Sequence, residues 1–268
     1  MRTYYYLIFT VLLVACTSPK WTITRQQGTK IELDASVEPG ADAQFSAMLL
    51  PYKQKLDARM NEVIGNADQI MRAHKPESLL SNWSADVYLQ SATAYLGQPV
   101  DVAIVNLGGL RTQISAGPLT VRKVFELMPF ENELVLLWLK GSDLEDLLQF
   151  FARIGGQGVG GLRMQISGGK ATGIEVGGKP LDPNRTYIIT TNDYLAEGND
   201  YMSALTRHTK RVNTGILVRN MLMDYIRKET AAGRTIKSQL DGRISTPETS
   251  SLLINTPLEE SYILSLHN

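Results

Sequence analysis

Apolar and polar residues alternate through "WTITRQQGTKIELD" (21–34), a spacing that predicts a strand. Over 41–65 the period changes. Phe45, Met48, Leu49, Tyr52, Leu56, Met60 and Ile64 recur at helical spacing, with Pro51 placed to kink that helix or divide it. A second helical stretch, "ESLLSNWSADVYLQSATAYLG" (77–97), stops at Gly97 and Pro99. "VDVAIVN" (100–106) is then continuously apolar until its last residue, which predicts a strand buried on both faces. Beyond a Gly-Gly turn the pattern gives a short helix, a corner at "MPFEN" (128–132), a strand over 133–140 and a helix capped by Ser142. Glycine-punctuated short strands follow over 158–202, as in a meander with hairpins. A helix over "NTGILVRNMLMDYIRKE" (213–229) comes next, and "DGRI" (241–244) closes the compact part. No internal repeat interrupts this order. The expected fold is α+β: a single domain over 30–245 with mixed β-sheets covered by helices, and a C-terminal tail over 246–268.

Composition narrows the partners. Among 268 residues, 43% are hydrophobic, enough to bury a sizeable core. Lys plus Arg and Asp plus Glu both number 27, so no global field recruits a nucleic-acid polymer. The N-terminus carries one cation, Arg2, then an apolar run over 4–15 that ends at Cys16, the only cysteine. That run is too short to span a bilayer and has the length of a signal-peptide core. "LVAC" (13–16) resembles a bacterial lipobox. The expectations are a lipoprotein signal peptide over 1–15, lipid on Cys16, a tether over 16–29, and an exported, membrane-anchored protein on the periplasmic or cell-surface side.

Three stretches carry candidate chemistry. In "DVAIVNLGGLRTQI" (101–114), Gly108 and Gly109 would let a ligand approach backbone N–H groups, and Arg111 offers a planar fork for a carboxylate, phosphate or ribose oxygen. A tight turn with a surface arginine would produce the same letters. Pro129 of "MPFEN" sets Phe130 beside Asn132 in extended geometry, and the ring could equally be core. In "TNDYLAEGNDYM" (191–202) an aromatic, Tyr194, precedes the carboxylate of Asp200 by six positions; a ring that stacks on a base and an acid that accepts from ribose hydroxyls suit a nucleoside. Within 101–114 neither a G-x-G-x-x-G nor a Walker-type phosphate loop occurs, and the chain has no G-x-S-x-G elbow. His74, His208 and His267 are the only histidines, none in a metal-binding motif.

Taken in order, "ESLLSNWSADVY", "NLGGLR", "GPLTVRKVFELMPFEN", "GVGGLRMQI" and "TNDYLAEGNDYM" resemble the C-terminal, substrate-binding domain of the 5′-nucleotidases over roughly 30–245. The resemblance implies α-β-β-α layers. It also implies that Asn106 and Arg111 contact the nucleoside, that Phe130 and Tyr194 wall the base, that Asn132 lies near the base, and that Asp200 takes the ribose hydroxyls. Departures are His74 where the family has an arginine, "SNW" for the usual Gly-Asn, "GGLR" for Ser-Gly-Leu-Arg, and Asn199 where a glycine is usual. In the full-length family a separate metallophosphoesterase domain holds two divalent metals. The expectation is therefore that this chain has no catalytic or metal-binding residue and no cofactor of its own, that it hydrolyses nothing alone, and that it serves a separately encoded metallophosphoesterase. A stand-alone nucleoside scavenger and a degenerate remnant are the other readings.

Overall fold

The computed structural model describes residues 22–23, 25–30 and 42–247. Cys16, the leader, and all but the first two residues of the expected tail lie outside them. Contacts divide the chain into two units, Met1–Pro51 and Tyr52–Asn268, and every sheet belongs to the second.

The elements run α1 (Ala43–Met60), β1 (Val63–Ala67), α2 (Leu79–Leu96), β2 (Val102–Val105), β3 (Gly117–Thr120), α3 (Val121–Leu127), β4 (Glu133–Lys140) and α4 (Gly141–Arg153). Then come β5 (Gly158–Gly160), β6 (Leu162–Ser167), β7 (Lys170–Val176), β8 (Lys179–Pro180), β9 (Thr186–Asn192), α5 (Asp193–Ala196), β10 (Lys210–Leu217), α6 (Val218–Ala231) and β11 (Ile244–Ser245). They form a five-stranded sheet ordered β10-β4-β9-β2-β5, a four-stranded sheet β11-β6-β7-β8, and the pair β1-β3. The α+β reading with mixed sheets and covering helices holds.

The five-stranded sheet separates two cores because strand side chains alternate. Along β4, Leu134 and Leu136 enter one core while Val135, Leu137 and Leu139 enter the other; β2 splits likewise, Ala103 and Val105 against Val102 and Ile104. All four residues of β2 are buried, as its unbroken apolar run predicts. The first core is completed by Leu80, Trp83 and Tyr88 of α2 and Leu222 and Ile226 of α6. Leu144, Leu148 and Phe151 of α4, with Met164 and Ile166 of β6, complete the second.

Several local expectations give way to tertiary pairing. The described residues of 21–34, namely 22, 23 and 25–30, form no strand. The first helix runs through Pro51 but ends at Met60; Ile64 lies in β1, which pairs antiparallel with β3, while Phe45, Met48, Leu49, Tyr52 and Leu56 are exposed. The helix expected to be capped by Ser142 starts one residue earlier, at Gly141, with Lys140 in the cap position and no side-chain cap bond. Residues 213–217, read as helix, extend β10 against β4 through a register shift between Asn213 and Leu217, where Gly215 has a left-handed φ of 71°. The edge of β4 offers backbone partners that periodicity cannot reveal, and these outweigh helix propensity.

Candidate functional site

Strand order and direction gather the candidate residues. β2 and β9 are parallel and β4 runs antiparallel to β9, with Leu134 opposite Asn192. The C-terminal ends of β2 and β9 and the start of β4 therefore meet at one end of the sheet's central strands, the place where open α/β sheets hold ligands. Asn106 follows β2, Phe130 and Asn132 precede β4, and Tyr194 sits in α5 directly after β9. All six residues singled out from the sequence, Asn106, Arg111, Phe130, Asn132, Tyr194 and Asp200, line one cavity of about 520 Å³. Gly108, Gly109, Met128, Glu131 and Asn192 complete the lining.

Each side chain is held from behind. Asp200 is the hub: Asn106 Nδ2 donates to its Oδ2 at 2.6 Å, and the Tyr194 hydroxyl donates to its Oδ1 at 3.0 Å. The bond to Asp200, and then the carboxylate's charge, raise the pKa of the Tyr194 phenol above its ordinary value, because both favour the protonated form. Asp193 Oδ1 accepts from Asn132 Nδ2 and from the Tyr194 backbone N–H, both at 2.8 Å, so one carboxylate ties the two sides of the cavity together. Phe130 and Tyr194 are 41% and 42% exposed, so neither is a core ring. The Arg111 guanidinium lies 5.9 Å from the Phe130 ring centroid and donates to the Gly108 carbonyl at 3.2 Å.

At Gly109 the turn serves a purpose its sequence does not suggest. Gly109 N–H donates to the Asn106 carbonyl, so that amide is already committed within a single 3₁₀ turn. A Cβ at Gly109 would stand 2.7 Å from Asn106 Oδ1. This glycine makes room for the Asn106 side chain, and through it for the bond to Asp200.

Two left-handed residues follow. Asp200 and Tyr201 have φ of 53° and 62°, conformations that non-glycine residues enter at a cost of about 1 kcal/mol or more each. The turn aims Asp200 into the cavity and leaves Tyr201 87% exposed.

The helix landmark at 77–88 proves to be a latch, and its Glu77, Asn82 and Asp86 do not line the cavity. Glu77 Oε1 accepts from Asn82 Nδ2 at 2.6 Å and from Asp241 N–H at 3.0 Å, and Oε2 accepts from Gly242 N–H at 3.1 Å. Asp86 pairs with Arg243 at 2.7 Å. The spacing Glu77, Asn82, Asp86 thus clasps the closing "DGR" segment. Burial pushes the Glu77 carboxyl above the usual carboxylate range, opposed by the bonds from Asn82 and Asp241. His74 is exposed and outside the cavity lining, and His208 Nδ1 is bonded to the Leu205 carbonyl. Among the described residues no group of three His, Cys, Asp or Glu is placed to hold a metal ion.

The architecture defines a class: an α+β domain of three sheets with a ligand-sized cleft at the ends of the central strands. The chain belongs to the family described as 5′-nucleotidase, C-terminal domain, whose profile matches residues 63–207, more than half of its length. It is similar to Protein UshA of Yersinia enterocolitica, 27% identical over 217 residues that cover 79% of this chain and 39% of the relative. It is also similar to a 5′-nucleotidase of Vibrio vulnificus, 28% identical over 70% of this chain and 35% of that one. The crystal structure of a 5′-nucleotidase precursor from Thermus thermophilus superimposes with a TM-score of 0.65 at 31% identity, covering 80% of this chain and 44% of the other. The chain spans about two-fifths of the length of these relatives.

Proposed function

We propose that this chain is the nucleotide- or nucleoside-recognition half of a nucleotide phosphohydrolase, and that a metallophosphoesterase on a separate chain supplies the two metals and the hydrolysis. The observation that carries this reading is the convergence of two half-exposed rings, Phe130 and Tyr194, with the Asp200 carboxylate and the Asn132 amide on one cavity. Rings on such a cavity suit stacking on any nucleobase, which tolerates sequence because every base has a π-face. Asp200 accepts from ribose hydroxyls, and Arg111 supplies a fixed cation for a phosphate oxygen. Membership of the family supports the same assignment. We further propose export as a lipoprotein, with Cys16 carrying the lipid; support for this lies in the sequence pattern of 1–16 alone.

Calorimetric titration of the purified chain with adenosine and AMP tests recognition. Binding is expected to weaken about fivefold or more in Tyr194→Ala, and in Asp200→Asn to weaken more for adenosine than for 3′-deoxyadenosine. No nucleoside binding at millimolar concentration overturns the reading. The same preparation is expected to release no phosphate from AMP with Mn²⁺ or Zn²⁺ until a metallophosphoesterase chain is added. Metal-dependent turnover by the chain alone overturns the division of labour. Acyl labelling that survives Cys16→Ala overturns the anchor.

A further inference from the structure

One buried cation lies outside the cavity lining and yet touches the segment that forms one of its walls. Arg219, the second residue of α6, is 7% exposed. Its Nη1 donates to the carbonyls of Pro129 at 3.1 Å and Phe130 at 3.2 Å. Its guanidinium lies 4.1 Å from the Phe125 ring centroid, on α3. Nη2 stands 3.7 Å from Glu131, beyond hydrogen-bond reach and with that carboxylate 82% exposed. The buried Nε has no partner.

That arrangement is a poor way to stabilise a fold. A guanidinium carries five N–H donors, and removing it from water costs several kcal/mol unless they are matched. Here two carbonyls and one ring offset part of the cost, and Nε is left unmatched. A methionine of similar length would fill the space beneath the corner without that penalty. What the arginine adds is direction: one nitrogen holds two successive carbonyls, and these fix the peptide planes on both sides of the Phe130 Cα. The neighbouring Val218 N–H donates to the Asn132 carbonyl at 2.9 Å. The first turn of α6 therefore grips residues 129–132 at both ends, and this is the segment that presents Phe130, Glu131 and Asn132 to the cavity.

We infer that Arg219 is a positioning residue for the base-stacking wall: it sets the attitude of the Phe130 ring from behind without touching the ligand. The inference rests on the recognition role proposed above for Phe130.

A double-mutant cycle read by calorimetry with adenosine, beside thermal melts, tests it. Arg219→Met is expected to melt at or above the wild-type temperature, because a desolvated cation is gone, and to bind adenosine about tenfold more weakly. In a Phe130→Ala background the same change is expected to have no further effect on affinity, since there is no ring left to position. Arg219→Lys, which keeps the charge but reaches at most one carbonyl squarely, is expected to lose affinity without losing the fold. The preference for adenosine over 3′-deoxyadenosine, set by Asp200, is expected to persist in both Arg219 variants. Equal loss in the presence and absence of Phe130, unchanged adenosine affinity in Arg219→Met, or failure of both variants to fold makes Arg219 a structural support only and overturns the inference. If wild type binds no nucleoside, or Phe130→Ala binds like wild type, the recognition reading itself falls and this inference with it.

Discussion

The hydroxyl of Tyr194 donates to Asp200 Oδ1 at 3.0 Å, joining the aromatic side of the cavity to its carboxylate. The proposed base contact and the proposed ribose contact are therefore one mechanical unit, with Asn106 bracing the other carboxylate oxygen.

Tyr194→Phe separates the two contributions. The ring remains, so adenosine affinity is expected to stay within about threefold of wild type while Tyr194→Ala loses about fivefold or more. The hydrogen bond exists only while the phenol is protonated, and it raises the folded pKa above the ordinary value. Its contribution is thus present below about pH 10, the unperturbed tyrosine value, and lost as pH rises through the folded pKa. Ultraviolet difference titration of wild type against Tyr194→Phe checks this: the missing phenol is expected to be one that ionises late. Ionisation at or below the ordinary tyrosine value contradicts the bond.

Gly109→Ala tests whether the glycine serves Asn106. A Cβ 2.7 Å from Asn106 Oδ1 forces that buried side chain aside and breaks its bond to Asp200. Adenosine binding is expected to fall about tenfold, with the adenosine to 3′-deoxyadenosine preference reduced, and stability to fall by about 1–2 kcal/mol. Gly108→Ala meets nothing within 4 Å and is expected to leave the fold intact. Equal stability of the two variants in denaturant melts defeats the argument.

Tyr201→Gly addresses the left-handed turn. With φ at 62° and the ring 87% exposed, the tyrosine adds strain and little packing. Glycine there is expected to raise unfolding free energy by about 1 kcal/mol in urea titration, provided the native turn is kept. A loss of stability shows that the ring makes contacts worth more than the strain.

Glu77 gives a pH signature. Its folded pKa lies above the ordinary glutamate value, so it favours the native state most when protonated. The stability of wild type relative to Glu77→Gln is expected to be highest below about pH 4.3, the unperturbed value, and to decline as pH rises through the folded pKa. Denaturant melts across mildly acidic to neutral pH read the difference directly. A difference that grows with pH indicates that the three N–H donors outweigh burial.

The strand over 102–105, the short helix after 120, the strand over 133–140 and the six cavity residues were all legible in the chain, because each is written in local letters: an unbroken apolar run, a turn dipeptide, a ring and an acid six positions apart. The family's ordered landmarks carried the joint assignment, since each stretch alone also fits a bland turn or a core ring. Other features depended on partners far along the chain. Residues 213–217 became strand because the edge of β4 was free to pair, and Ile64 left its helical register because β3 lay alongside.

The role of each landmark was decided only by tertiary contacts. Glu77 and Asp86 belong to the family's helix landmark in the sequence, yet they hold residues 241–243, more than 150 positions away. Gly109 reads as room for a ligand and is room for Asn106. Arg219 gave no signal at all, being one arginine at the head of an amphipathic helix. Its meaning comes from two carbonyls about ninety residues upstream, and a hydrogen bond to a backbone carbonyl leaves no mark on the identity of the residue that accepts it. Local sequence determined which groups this protein has to offer; chain topology, by closing long loops around a twice-buried sheet, decided which of them face one another.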